Sequence, residues 1–108
     1  MVGCFVASAV IAVDNTHLYW ANNGRFRVTK VSTTIGRAEL DGTGVNRSFI
    51  TGASDPCGPA IYQGHLYWGN QGHGESDGTT IGRANIDGTK ANQHFITGAQ
   101  APCGIAIG

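Results

Sequence analysis

Ile35-Gly36-Arg37-Ala38-Glu39-Leu40-Asp41-Gly42-Thr43 recurs 46 residues later as Ile81-Gly82-Arg83-Ala84-Asn85-Ile86-Asp87-Gly88-Thr89. Phe49-Ile50-Thr51-Gly52-Ala53 returns at the same offset as Phe95-Ile96-Thr97-Gly98-Ala99, and Pro56-Cys57-Gly58 as Pro102-Cys103-Gly104. His17-Leu18-Tyr19-Trp20 returns as His65-Leu66-Tyr67-Trp68 at an offset of 48, so the loop that follows is two residues shorter in the second copy. A period of this length, built from short apolar runs and turn residues, indicates stacked β structure. Two copies are too few to close such a stack, so the sequence speaks first about architecture and assembly.

Composition fits a β-rich globular domain. The chain has 108 residues, 17 of them glycine, with 13% charged residues and a formal net charge of zero. That balance gives no electrostatic footprint for nucleic acid or for an anionic membrane. Met1 to Val13 is largely apolar but has neither a basic leader region nor a small-residue cleavage site, and it reads as mature structure. No run reaches the ~18 apolar residues of a transmembrane helix.

Each repeat resolves into four short strands, A to D. In the second copy these are expected near Pro59 to Tyr62, His65 to Gly69, Thr80 to Ile86 and Gln93 to Thr97. Gln63-Gly64 supplies a tight turn between A and B, and Asp87-Gly88 one between C and D, because glycine takes positive φ without steric cost. Asn15-Thr16 and Asp41-Gly42 do the same in the first copy. No window holds a 3.6-residue apolar period, so the expectation is all-β.

Four antiparallel strands per repeat match one blade of a β-propeller. Tyr-Trp on strand B, Ile-Gly-Arg-Ala-x-(Leu/Ile)-Asp-Gly, Phe-Ile-Thr-Gly and Pro-Cys-Gly-x-Ala-Ile together resemble the YWTD repeat of low-density-lipoprotein-receptor-type propellers. The likeness covers nearly the whole chain. It departs where Thr-Asp should follow Tyr-Trp: here stand Ala21-Asn22 and Gly69-Asn70, so an amide takes the aspartate's place. The resemblance implies a propeller module for protein interaction, and YWTD-type propellers close with six blades.

The chain then divides into a D-like strand (1–8), blade one (9–53), blade two (54–99) and an A-like strand (100–108). Two blades present four faces, and their mutual contact covers two. Tyr19, Trp20, Phe49, Tyr67, Trp68 and Phe95, with Phe26, are expected at these faces. Burying one Trp of ~200 Å² at ~25 cal/mol per Å² contributes roughly 5 kcal/mol at most. Two wet faces of that kind exceed what monomers ordinarily expose. The chain is therefore expected to associate with itself, three chains giving six blades being favoured over four giving eight.

Repeated polar residues read as structural. His17 and His65 begin strand B; Arg37 and Arg83 are expected to pair with a carboxylate or carbonyl; Asp41 and Asp87 form turns. Three cysteines exclude a complete set of bridges within one chain. Cys57 and Cys103, at equivalent places on successive blades, are expected to point alike and to remain unbridged.

The unrepeated residues lie in the B–C loops. The first carries Arg25, Arg27 and Lys30; the second carries His73, Glu75 and Asp77. Blade topology puts both on one rim with the D–A loops. There they form either a charge-complementary contact or a site for a protein or polar ligand. The His73–Asp77 spacing fits neither an EF-hand nor a zinc site, so no metal or cofactor is expected. Asn46-Arg47-Ser48 matches the glycosylation sequon, which matters only in a secreted chain. No phosphate loop or catalytic triad spacing is present. The leading function is a non-enzymatic interaction or scaffold module. The alternatives are a propeller enzyme of lyase or hydrolase type with a site at the channel mouth, and an assembly fragment, natural or engineered, without a ligand.

Overall fold

A computed structural model describes residues 11–22, 33–73, 76–103 and 105. They form eight strands and, among the described residues, no helix: β1 (Ile11–Val13), β2 (His17–Ala21), β3 (Ile35–Glu39), β4 (Asn46–Ile50), β5 (Pro56–Tyr62), β6 (His65–His73), β7 (Ser76–Asn85) and β8 (Asn92–Thr97). The strands pair antiparallel in sequence order into two four-stranded sheets, β1-β2-β3-β4 and β5-β6-β7-β8.

The two sheets share one register because they share one sequence. Leu18, Tyr19 and Trp20 face Ala38, Arg37 and Gly36; Leu66, Tyr67 and Trp68 face Ala84, Arg83 and Gly82. Alternation along the strand sends each tyrosine to one face of its sheet and each tryptophan, with leucine, to the other. The indole lies flat across the partner glycine, where any Cβ at Gly36 or Gly82 would collide with the ring. The ladder shifts register after Ile35 and after Ile81. This irregularity lets Phe49 and Phe95 join the arginine face. There the Arg37 guanidinium sits 4.2 Å from the Phe49 ring centre, and that of Arg83 4.0 Å from the Phe95 centre.

The core is where unlike faces of the two sheets meet. Tyr19, Ile35 and Ile50 of the first sheet pack with Leu66, Trp68 and Ala84 of the second, and Ala53 sits between. β5, the first strand of its sheet, lies against β1 and β2.

Two expectations need correction. In the segment Asn70 to Gly78, read as a loop, the described residues continue the sheet: Asn70 pairs with Thr80, Gly72 with Asp77 and His73 with Ser76. A bulge between Asn70 and Gly72, with Gly72 at φ 82°, absorbs the odd residue and keeps the hairpin in line. β5 likewise begins at Pro56, where a strand's first residue needs no N–H.

The second correction concerns the thiols. Cys57 and Cys103 are joined in a disulfide, with Cα atoms 5.0 Å apart, within the range a bridge requires. The expectation treated equivalent positions as parallel and well separated. The chain after β8 follows the same path as the chain after β4, since Ala99 N donates to Thr79 O as Ala53 N donates to Thr33 O. Asp55 and Ala101, each preceding the Pro-Cys pair, both take positive φ, 48° and 43°. That path carries Pro102 onto Gly69, whose missing Cβ admits the Pro102 carbonyl, and Gly69 is the strand partner of Cys57. Successive segments converge at this inner edge, so the two sulfurs meet.

Candidate interaction surface

Arg25, Arg27, Lys30, Glu75 and Phe26 lie outside the described residues, as does the D-like strand 1–8. The backbones of His73 and Asp77 belong to β6 and β7, with side chains outside the description. The charged rim pair is therefore not placed.

What the described residues do define is a junction between sheets. The hairpin turn Asp87-Gly88 is tightly made. Gly88 N donates to Asn85 O (2.8 Å), Asn85 N to Thr89 O (3.0 Å), and the Thr89 hydroxyl to Asp87 Oδ1 (2.6 Å). Gly88 takes φ 89°, and a Cβ built there would stand 2.9 Å from Cζ of Phe49. The turn of the second repeat thus rests on the Phe49 ring of the first, next to the stacked Arg37. The carboxyl of Asp87 is held below the usual aspartate range by the Thr89 hydroxyl first, then by the Thr89 N–H, with a smaller contribution from the Arg37 charge. Tyr19 completes the surface, its ring centre 6.0 Å from that of Phe49.

The same group stands on the second sheet. Tyr67 lies 6.1 Å from Phe95, and Arg83 covers the ring. The first repeat's turn is also a close copy: Gly42 N to Glu39 O is 2.9 Å, Thr43 Oγ1 to Asp41 Oδ1 is 2.6 Å, and Gly42 takes φ 88°. Yet among the described residues nothing lies within 4 Å of a Cβ on Gly42.

Matched residues consequently differ in exposure. Ile50 is 2% exposed and Ile96 46%. Trp68 and Leu66 are fully buried while Trp20 and Leu18 are half-buried, and Tyr19 is buried where Tyr67 is half-buried. Leu40 is 51% exposed, whereas its counterpart Ile86 packs against the core. Phe95 is 38% exposed, whereas Phe49 packs against the core. Of the aromatic residues expected at blade faces, Tyr19, Phe49 and Trp68 meet at the junction; Trp20, Tyr67 and Phe95 lie on the outer faces.

The amide that replaces the resembled family's aspartate ties the strands together. Asn22 Nδ2 donates to Thr34 Oγ1 (2.8 Å) and to Arg47 O (3.0 Å), and its Oδ1 accepts from Trp20 Nε1 (3.1 Å). In the second sheet Asn70 Nδ2 reaches Thr80 Oγ1 (3.0 Å) and Gln93 O (3.2 Å), and Asn70 Oδ1 accepts from Ser54 N (3.0 Å). Gln93 extends this cluster. Its Oε1 accepts from Trp68 Nε1 (3.0 Å), and its Nε2 donates to Thr51 O in the first repeat (3.0 Å). Repeat comparison could not find Gln93, because Arg47 occupies the matching place.

The other repeated polar residues serve local structure. His17 Nε2 lies 3.2 Å from Glu39 Oε2, and His65 Nδ1 is 3.2 Å from Gln63 O. Both arginines lie over phenyl rings. Asn46 of the sequon is exposed, and its Oδ1 accepts the Ser48 N–H. Asn92 does the same for His94 without a sequon, so this bond belongs to the repeat. Comparison with known proteins finds no matching family model and no matching curated protein.

Proposed function

We propose that this chain is a non-enzymatic β-propeller interaction module of the YWTD-repeat type. It associates with copies of itself into a ring and offers the B–C and D–A loops of one rim to a protein or polar ligand. Three chains supplying six blades is the favoured closure. The observation that carries this reading is the unequal burial of equal residues: Ile50 and Trp68 are covered by the neighbouring repeat, while Ile96 and Trp20 lack equivalent cover. Apolar residues that one neighbour already buries in a well-formed junction call for a second neighbour of the same kind.

Two further features agree with a scaffold. The repeated polar side chains are engaged in turns, strand ties and ring contacts, as a framework requires. The Cys57–Cys103 bridge fixes the inner edge where successive segments converge, and such a bridge persists in an oxidising compartment. Electron microscopy of the purified protein tests the reading. Closed rings with three-fold chain symmetry are expected, and particles without a closed ring would contradict it.

A further inference from the structure

Three features stand apart from the junction within the chain: the Asp41-Gly42 turn, the Arg83–Phe95 face, and the buried Gln71 amide. The first two belong together. Within the chain, an Asp-Gly turn sits on a phenyl ring that carries a stacked arginine, and Gly88 is the residue that approaches the ring. The chain presents one more turn of this kind, at Asp41-Gly42, and one more face, at Tyr67, Arg83 and Phe95.

We infer that the Asp41-Gly42 turn of one copy docks on the Arg83–Phe95 face of a second copy, reproducing between chains the junction that Asp87-Gly88 makes with Phe49 inside one. The inference rests on the self-assembly reading above and deepens it by naming the two surfaces.

Three matches support the fit. Gly42 and Gly88 share φ values of 88° and 89°, so the two turns present the same backbone. The rings offered to them carry arginines at 4.2 and 4.0 Å. The carboxylate of Asp41 would lie in the field of Arg83 as Asp87 lies in that of Arg37, a complementary charge near the contact edge. The flanking apolar residues match as well. Docking would cover Leu40 as Ile86 is covered, and Ile96 as Ile50 is covered. The turn belongs to the first sheet and the face to the second, so the contact is head-to-tail and a docked pair retains one open turn and one open face.

Two variants test the assignment, each altered only where the side chain or the space is exposed. Leu40→Lys/Gly42→Asn obstructs the turn, asparagine being tolerated at positive φ. Ile96→Lys places a charge where docking would bury it. Sedimentation velocity should find wild-type protein associated and each variant alone monomeric, its self-association weakened at least about tenfold. Far-UV circular dichroism should remain that of a β protein. An equimolar mixture should form a 1:1 dimer and nothing larger, because the open face of the first variant receives the intact turn of the second. If both variants associate like wild type, or if the mixture forms no dimer, the surface assignment is overturned while self-association stands. If wild type itself is monomeric, the self-assembly reading fails with it.

Discussion

Replacing each tryptophan in turn compares two chemically identical losses in two different environments. Trp68 is fully buried, its ring across Gly82 and its Nε1 bonded to Gln93. Its transfer term is at most about 5 kcal/mol for ~200 Å² of ring, and large-to-small replacements of this kind cost about 3–5 kcal/mol once the cavity is included. Trp20 occupies the matching register and bonds Asn22, but it is half-buried. The part of the ring left in water and the lack of a closed cavity reduce its loss by about 1–2 kcal/mol relative to Trp68. Urea unfolding followed by far-UV circular dichroism, in the Ile96→Lys background to keep the chain monomeric, measures both. Should Trp68→Ala exceed the stability of the chain, Trp68→Phe and Trp20→Phe preserve the comparison. Trp68 must lose more than Trp20 by at least ~1 kcal/mol, beyond the error of linear extrapolation. Equal losses would refute the assignment of Trp68 to the junction and Trp20 to an outer face.

Asn70→Asp should destabilise the chain by about 3 kcal/mol in chemical unfolding, because a carboxylate would face the Gln93 carbonyl with no donor of its own; an unchanged midpoint would show that the amide donates nothing. Loss of the Cys57–Cys103 bridge, which closes a 46-residue separation, should remove up to about 4 kcal/mol by chain entropy. Thiol titration of the denatured, unreduced protein should find both residues unreactive. Acid should loosen the Asp41 and Asp87 turns: their folded pKa values lie below the unfolded one, so their contribution is present above about pH 4 and is lost as pH falls through the lowered values. Protection of the Thr43 and Thr89 amides from exchange, relative to their intrinsic rates, should fall over that window in wild type, and Asp41→Asn should abolish the change at Thr43.

The repeat made most of the strand order legible, because Tyr-Trp, Ile-Gly-Arg-Ala and Asp-Gly each recur with one spacing and each has a local cause: alternation, a flat ring over glycine, a turn at positive φ. Three features escaped. The hairpin beyond Asn70 is polar and glycine-rich, so its pairing rests on backbone bonds that leave no apolar pattern. Gln93 serves two repeats at once, and comparing copies hides whatever only one copy has. The disulfide depends on where successive segments converge. That is a property of how the sheets are rotated about their inner edge, and equal spacing in sequence carries no information about that angle. The outer faces were visible as a count of uncovered surfaces, but which residues lie on each side depends on how the two sheets pack. The charged rim residues Arg25, Arg27, Lys30 and Glu75 lie outside the described residues, and their pairing stays with the proposal.

Molar mass in solution, by light scattering on a size-exclusion column at micromolar concentration, bears most directly on the central claim. The account predicts a discrete species of three chains, dissociating on dilution and in the Ile96→Lys variant. A stable monomer that stays soluble as concentration rises would contradict it, because the Arg83–Phe95 face and the Asp41-Gly42 turn would then need no partner.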